Sequence, residues 1–432
     1  MEKIKHILAH LGLLVFGCLF AFGVLECAVR LLPASVTHFR RFPIYQPEPD
    51  IGFKYKPSQK AVTEAGCYRI DPVTINSQGF RDTEWPSNVN GGVAILGDSM
   101  MEAEQVADTE TTSALLRGRL GVPVVNAGVM GFGTLAEKAT YEKYLRPLKP
   151  SVVVLFFYTG NDITDNACAF NRMSDGRVLK VCGRTTDSGY EVEKGFFIQG
   201  GAIREFARTT CMSCRYAMQI YADMVSRIKQ KESKALATRP FAEVQFDVYK
   251  PEMSPDIQDA WKLTERALVG LRDEVEKDGS KFVLVTVPEF ARVTTNLQQE
   301  LKDQVRHGVP SDIDPWKPLQ EVEKITQKNN IRLLKLENAF LAYRDQKSLT
   351  YPYFSLSCDG HWNPLGHYLA SVELSRYLVS EGLIQIKEDT TSFLEKSQQD
   401  LKRDPKEILG EQAAEAVYRG GVYTGNSKAA AQ

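Results

Sequence analysis

Val93-Ala94-Ile95-Leu96-Gly97-Asp98-Ser99 is a short apolar run that ends in a glycine, an acid and a hydroxyl residue. Runs of this kind are typical of strands buried on both faces of a parallel sheet. A second apolar run, Val152–Tyr158, is followed by Gly160-Asn161-Asp162. Because ligands bind outside the carboxyl ends of the strands in an open α/β sheet, we expect Ser99 and Asn161 to lie at one edge.

The rest of the chain alternates strand and helix patterns. Five strands are predicted, at 92–96, 123–126, 152–158, 282–287 and 331–335, and helices at 110–120, 135–146, 257–277, 315–328 and 365–380. This alternation indicates right-handed βαβ units and a mostly parallel five-stranded sheet, hence an α/β fold. The segment between Asn161 and the fourth strand is far longer than one crossover helix, which predicts a partly helical insertion at about 165–250 that lies beside the site.

Asp359-Gly360-His361, late in the chain, supplies a candidate acid–base pair. A serine hydroxyl is a weak nucleophile until a base accepts its proton, and the pKa of imidazole, near 6.5, suits that task. We therefore predict Ser99 as nucleophile, His361 as general base and Asp359 as the group that orients the imidazole. His367 lies in the same loop–helix segment and is the alternative base, but His361 is nearer to the aspartate.

Four motifs together resemble the SGNH (GDSL-type) hydrolase superfamily over about residues 75–380. They are Gly97-Asp98-Ser99, Asn126–Gly131, Gly160-Asn161-Asp162 and Asp359-Gly360-His361. The resemblance implies a three-layer sandwich and an acyl-serine intermediate. It also implies an oxyanion hole made by the Ser99 N–H, the Gly131 N–H and the Asn161 side-chain amide.

The final motif departs from the common family spacing. Many members have D-x-x-H, whereas Asp359 and His361 are separated by one residue. The shorter form, followed by Trp362-Asn363, resembles a membrane-anchored branch that includes polysaccharide O-acetyltransferases. That resemblance implies an esterase or O-acyltransferase acting on carbohydrate acyl esters, with partner proteins of a polysaccharide pathway and no metal or organic cofactor. A lipid or small-ester hydrolase, and a non-catalytic assembly protein that retains the fold, are the alternatives.

The amino-terminal segment is long and apolar. Leu11–Leu25 carries no charge, and the apolar stretch extends from about Ile7 to Val29. About 20 helical residues span the hydrocarbon core of a bilayer. A cleaved signal peptide and a buried helix of a soluble protein are the alternatives, but no clean small-x-small cleavage site follows. We predict a single-pass anchor over residues 1–32, in the cell (inner) membrane.

The orientation of the anchor is a separate question. The numbers of lysines and arginines on its two sides are nearly equal, so the positive-inside rule does not fix the orientation. The very short amino-terminal tail, and a chemistry usually applied to exported substrates, favour an extracytoplasmic (periplasmic) catalytic domain.

Eight cysteines bear on the compartment. Cys18 and Cys27 lie within or at the edge of the anchor, and six lie outside it, which permits up to three disulfides in an oxidising compartment. Cys168 and Cys182 bracket a polar loop and are the first expected pair. Cys211 and Cys214 are expected to form a structural pair or to remain free thiols, rather than a redox centre.

The remaining expectations concern boundaries and charged residues. We predict a lead-in at 33–75, a hydrolase-like domain at 76–385, and a charged, loosely ordered tail at 386–432. Arg81 is expected to form a structural ion pair rather than an anion site, and Asp98 and Asp162 to bond turn amides. With 43% hydrophobic residues, 25% charged residues and a net charge of −1, the composition is that of a globular protein and indicates no nucleic-acid partner.

Overall fold

The computed structural model describes most of the chain and divides it into two compact units. One unit comprises residues 1–40 and 198–238, and the other residues 41–197 and 239–432. The described residues are 2–31, 42–172, 177–178, 180–187, 189–195, 211, 213–214, 216–218, 220–221, 224, 247–293, 313–349, 353–356, 358–419 and 421–425.

The described strands and helices are numbered here in chain order. The strands are β1 Tyr45–Glu48, β2 Gly52–Tyr55, β3 Gln59–Ala65, β4 Tyr68–Ile75, β5 Val93–Leu96, β6 Val124–Asn126, β7 Val152–Phe157, β8 Cys182–Thr186, β9 Gly189–Glu193, β10 Lys281–Thr286, β11 Arg332–Lys335, β12 Ser355–Leu356 and β13 Asp359–Trp362. The helices are α1 Glu2–Leu31, α2 Ser99–Glu102, α3 Thr112–Leu120, α4 Thr134–Thr140, α5 Asp162–Asn166, α6 Cys168–Asn171, α7 Pro255–Lys277, α8 Phe290–Val293, α9 Lys317–Lys328, α10 Glu337–Lys347, α11 Pro364–Ser380, α12 Thr390–Asp400, α13 Pro405–Leu409 and α14 Glu411–Arg419.

A five-stranded parallel sheet forms the centre of the larger unit. Its spatial order is β11-β10-β7-β5-β6, and every neighbouring pair is parallel. All five predicted strands are confirmed to within a residue at each end. The five predicted helices are also present, although the one predicted at 135–146 changes after Thr140 into a π turn, Tyr141–Leu145.

Helices cover both faces of the sheet, which confirms the three-layer α/β arrangement. Val93 and Ile95 of β5 belong to one hydrophobic core and Ala94 and Leu96 to the other, because successive side chains of a strand point to opposite faces. Helices α3 and α11 cover the first face, and α4, α7 and α9 the second. Each fully buried Val or Leu side chain stabilises this arrangement by about 1.5–3 kcal/mol.

The lead-in and the tail both pack on the core. Tyr55 in β2 and Val73 in β4 are fully buried in the same core as α3 and α11. In the tail, Phe393 and Val417 are buried in that core, and Arg119 donates to Asp400 at 2.7 Å. The described part of the tail is therefore three ordered helices, α12 to α14, rather than a loose segment. Its charged residues occupy the outer faces of amphipathic helices.

Two disulfides fasten the larger unit. Cys168 and Cys182 are bonded, as predicted. Cys67, in the turn between β3 and β4, is bonded to Cys358, which directly precedes β13. Within the predicted insertion at 165–250, the structure describes α6, the hairpin of β8 and β9, and part of residues 211–224; much of the rest lies outside the described residues.

The smaller unit contains α1. Its stretch Ala9–Val29 is long and apolar enough to cross a membrane. In the same unit Cys211 is bonded to Cys214, and the carboxylate of Glu26 accepts hydrogen bonds from the N–H and hydroxyl of Ser213, both at 2.8 Å. The disulfide form was one of the two states left open for this pair. Cys18 and Cys27 are free thiols.

Candidate active site

Ser99 stands at the carboxyl end of the middle strand β5 and begins helix α2. Asp98 caps this helix by accepting the N–H of Met100 at 2.9 Å. A Cβ at Gly97 would lie 2.8 Å from the Met101 side chain and 3.3 Å from that of Phe156, so only glycine fits between strand and helix. The turn presents the half-buried Ser99 side chain at the edge of the sheet where the sequence predicted a site.

The structure brings Ser99, His361 and Asp359 together. His361 Nε2 lies 2.8 Å from Ser99 Oγ, and His361 Nδ1 is hydrogen bonded to Asp359 Oδ1. The N–H of His361 also donates to Asp359 Oδ1, at 3.1 Å. With Nδ1 protonated against the carboxylate, Nε2 is left as the acceptor of the Ser99 hydroxyl proton. This is the hydrogen-bond connectivity of a serine–histidine–aspartate triad.

The electrostatic environment favours the protonated imidazole. Burial by itself lowers the pKa of His361, but the hydrogen bond and the negative charge of Asp359 raise it, and so do the charges of Asp98 and Glu104. The net pKa is above its ordinary value. An imidazole with this bias is a stronger base toward Ser99, since it stabilises the imidazolium that forms during attack.

His367, the other candidate base, does not lie beside Ser99. It is buried in α11, its Nδ1 lies 2.9 Å from Thr112 Oγ1, and its ring packs edge-on against Trp362. Burial and the positive charge of Arg81 lower its pKa to about 3. His367 is therefore a neutral core residue, and its ring contacts α3 rather than Ser99.

Three donors predicted for the oxyanion hole lie on neighbouring elements of the same sheet edge. Ser99 follows β5, Gly131 is in the loop after β6, and Asn161 follows β7. Gly131 has φ +70°, a conformation that favours glycine. Among the described residues, neither the Ser99 N–H nor the Gly131 N–H has a hydrogen-bond partner, so both remain available to a ligand oxygen.

The Asn161 amide is partly committed. Its Nδ2 donates to Asp165 Oδ2 at 3.1 Å, which uses one of two hydrogens, and its buried Oδ1 has no partner within the described part of the chain. Burial raises the pKa of the neighbouring Asp98 to about 6, although the N–H of Met100 and the charge of His361 oppose the rise.

The loop that carries Gly131 is fixed against α2. Asn126 donates to the carbonyl of Met101 at 2.8 Å and accepts the N–H of Gly128 at 3.1 Å. A Cβ at Gly128 would lie 2.7 Å from the backbone of α2, so this glycine permits the close approach. The N–H of Val129 donates to the carbonyl of Gly97 at 3.1 Å and ties the loop to the nucleophile strand.

Other charged residues near the site take structural positions. Asp98 bonds the Met100 amide, and Asp162 accepts the Tyr158 N–H at 2.8 Å, as expected. Arg81 is almost fully buried, donates to the carbonyls of Glu102 and Val106, and pairs with Asp108 at 3.3 Å. The predicted ion pair of Arg81 is therefore present, and the guanidinium holds the chain that follows α2 through hydrogen bonds.

Sequence reasoning missed a buried group of acids and tyrosines behind α2. The Tyr55 hydroxyl lies in hydrogen-bond contact with both Glu102 and Glu104, Tyr45 donates to Glu102 at 2.5 Å, and Glu102 accepts the N–H of Met130. Burial and the charge of Glu104 raise the pKa of Glu102, whereas the tyrosine hydroxyls lower it. The one signal available in the sequence was the pair of acids three and five residues after Ser99.

Lys180 was also missed. Its ammonium donates to the carbonyl of Gly131 at 2.7 Å and lies 2.5 Å from Asp165 Oδ1. No local pattern marks this lysine, which is one of many charged residues in the insertion. Within the described residues, no group of three or more His, Cys, Asp or Glu side chains is arranged to hold a metal ion.

No family model matches this chain, and no curated protein matches it. Solved structures similar to it include the acetyl xylan esterase AlAXEase, with 13% identity, 65% of this chain and 97% of that chain covered, and a TM-score of 0.33. A protein from Desulfitobacterium hafniense, described as a lipolytic protein of the G-D-S-L family, has 12% identity, covers 66% and 99%, and has a TM-score of 0.32. A catalytic mutant of the acetylxylan esterase Axe2 from Geobacillus stearothermophilus has 14% identity and a TM-score of 0.32. The match covers 68% of this chain and 95% of that chain.

These names include the GDSL-type proteins that the sequence motifs resemble. Because the identity is this low, the function proposed for the chain rests on its own side chains.

Proposed function

We propose that this protein is a membrane-anchored serine ester enzyme of the SGNH type, which acts on acyl esters of carbohydrate through an acyl-Ser99 intermediate. The observation that carries the proposal is the hydrogen-bonded series Ser99–His361–Asp359 at the carboxyl edge of the parallel sheet. The free N–H groups of Ser99 and Gly131 support it, because acyl transfer needs donors for a developing oxyanion.

In the proposed first half-reaction, Ser99 Oγ attacks the ester carbonyl carbon while its proton moves to His361 Nε2. The carbonyl oxygen becomes an oxyanion, which accepts hydrogen bonds from the N–H groups of Ser99 and Gly131 and from the Asn161 amide. The tetrahedral intermediate then expels the alcohol, which takes the proton from His361. The products are a free alcohol and acyl-Ser99.

In the second half-reaction, a hydroxyl group attacks the acyl-serine while its proton moves to His361 Nε2. The bond between the acyl carbon and Ser99 Oγ then breaks, and Ser99 Oγ takes the proton back from His361. Water gives a free acid, and a sugar hydroxyl gives a transferred ester. The D-x-H spacing of Asp359 and His361, which resembles the O-acetyltransferase branch, supports a carbohydrate substrate. The long insertion after Asn161 supports an acceptor groove, since a transferase must position a hydroxyl in preference to water.

The apolar stretch of α1 supports anchoring in the cell membrane. Two disulfides in the larger unit and one in the smaller unit support an extracytoplasmic (periplasmic) catalytic domain, because disulfides persist in oxidising compartments. Partner proteins of a polysaccharide pathway are part of the same proposal and rest on the family resemblance alone.

The proposal is tested by covalent labelling of the full chain in detergent with a fluorophosphonate probe. We expect labelling of the wild type and loss of labelling in Ser99→Ala with the fold retained. Ser380→Ala is the matched control: among the described residues, its exposed hydroxyl donates to the carbonyl of Tyr377 alone, and labelling should persist. Labelling of another serine, or full ester hydrolysis by Ser99→Ala, would overturn the assignment.

The fate of the acyl group is measured in the same preparation. An acetyl donor is supplied with and without oligosaccharide, and free acid and acylated sugar are quantified. Acylated sugar that depends on Ser99 supports transfer. Rapid release of acid with no acylated sugar across a broad panel of acceptors supports hydrolysis alone.

A further inference from the structure

We infer that Lys180 is a positioning residue of the oxyanion hole, which orients both Gly131 and, through Asp165, Asn161. The inference rests on the proposed function, because it concerns two donors of that site.

A single ammonium group links the two donors. Lys180 Nζ donates to the carbonyl oxygen of Gly131 at 2.7 Å and lies 2.5 Å from Asp165 Oδ1. The other oxygen of that carboxylate, Asp165 Oδ2, accepts Nδ2 of Asn161 at 3.1 Å. The loop after β6 and the turn after β7 are thus held by one side chain that comes from a third segment.

The contact acts on the backbone of Gly131. The preceding N–H, that of Met130, is held by Glu102, and the carbonyl of Gly131 is held by Lys180. The Gly131 N–H lies between these two fixed groups and, among the described residues, has no partner. A glycine at φ +70° is free to rotate, so the two bonds supply the restraint that its side chain does not.

The contact also acts on the charge of Asp165. The Lys180 and Asp165 side chains are 14% and 13% exposed, so the pair is poorly screened by water. Burial raises the pKa of Asp165, and the charge and hydrogen bond of Lys180 lower it. An ionised Asp165 is a stronger acceptor for the Asn161 amide than a protonated one, and it directs the second amide hydrogen to the opposite side.

Covalent and backbone contacts fix the segment that carries Lys180. Cys182, two residues later, is bonded to Cys168, which follows the helix of Asp165. Ala167 and Gly183 form a parallel bridge between the same two segments. A Cβ at Gly195 would lie 2.4 Å from the Cα of Lys180, so the chain packs closely on its other side. These contacts therefore restrict the position of the Lys180 ammonium beside Gly131 and Asp165.

The test compares Lys180→Met with Lys180→Arg in the full chain, with p-nitrophenyl acetate as the ester. We expect Lys180→Met to lower kcat by about 10- to 100-fold with KM changed less than about 2-fold, because an oxyanion donor acts only in the transition state. Lys180→Arg should recover part of the loss, since it keeps the charge. Lys143→Met, which removes an ion-paired lysine on another element, is the control and should keep wild-type turnover.

Affinity for phenylboronic acid separates positioning from a merely structural role. A boronate bonded to Ser99 presents an anionic oxygen to the same donors, so its inhibition constant should rise by a factor similar to the loss in kcat. If Lys180→Met is unstable, Asp165→Asn provides the second variant, and it should show the same joint change.

The outcomes distinguish this inference from the proposed function. Equal kcat and equal boronate affinity in wild type and Lys180→Met would overturn the role of Lys180 while Ser99 labelling persists. A parallel loss of folded protein, with normal turnover per labelled Ser99, would also overturn it. A wild type that lacks Ser99 labelling and esterase activity would instead overturn the proposed function.

Discussion

Replacement of Asn161 by alanine should separate catalysis from stability. The side chain has one hydrogen on Asp165 and a second that is available to the oxyanion, while its buried Oδ1 has no partner among the described residues. The two amide hydrogens and the amide oxygen therefore predict three separate consequences of Asn161→Ala. The variant loses a donor in the transition state and a structural hydrogen bond, and it no longer buries an unsatisfied oxygen.

The magnitudes follow from these three terms. Loss of one oxyanion donor costs about 2.7–4 kcal/mol of transition-state stabilisation, which corresponds to about 10²- to 10³-fold in kcat. Loss of the bond to Asp165 costs about 1.5–3 kcal/mol, and removal of the unsatisfied oxygen returns about 1–3 kcal/mol. The two structural terms nearly cancel, so we expect the free energy of unfolding to change by no more than about 1 kcal/mol.

The assay measures kcat on p-nitrophenyl acetate per Ser99 titrated with fluorophosphonate, together with thermal unfolding. Asn171→Ala is the matched control. Its Nδ2 donates to the carbonyls of Thr164, Asp165 and Ala167 at 2.8, 3.1 and 2.9 Å, so this variant should lose stability and keep turnover per folded molecule. The reasoning is refuted if Asn161→Ala instead unfolds at a lower temperature with normal kcat.

Two further predictions concern the base and the membrane. Because neutral His361 is the active form and Asp359 raises its pKa, kcat/KM of the wild type should rise with pH through a midpoint above about 6.5. Asp359→Asn removes that effect, so the midpoint should move down, and the plateau should fall by about 10⁴-fold; an unchanged midpoint would contradict the contact. An enzyme reporter fused after Gln432 should be active outside the cytoplasm, and the protein should resist carbonate extraction. A reporter active only in the cytoplasm would invert the proposed topology.

Local sequence patterns were enough to predict the central sheet and the candidate residues at its edge. Strands such as Val152–Phe157 are buried on both faces, so they appear as continuous apolar runs that local reading detects. Ser99 and Asp359-Gly360-His361 were predicted because acyl transfer needs a hydroxyl nucleophile and an acid–base pair, and the role of Asn161 was predicted from the resemblance to the SGNH superfamily. Cys168 and Cys182 were paired correctly because they bracket a short polar loop, and they are 14 residues apart.

Tertiary structure alone decided which side chains meet across long distances in the chain. His361 and His367 lie six residues apart, and only their orientations show that one contacts Ser99 and the other Thr112. Cys67 and Cys358 are separated by 291 residues, so no local pattern predicts their bond. No local pattern predicts the contacts of Lys180 with Gly131 and Asp165 either.

The tail illustrates the physical reason. Its charged composition indicated loose order, but composition averages over the faces of a helix and so conceals apolar residues such as Phe393 and Val417 that lie on one side. These residues bury their surface only when the core presents a partner, and that partner combines α11 with segments hundreds of residues earlier. Local periodicity encodes the elements of this protein, whereas the contacts of Lys180, Glu102 and the tail exist only once those elements have packed together.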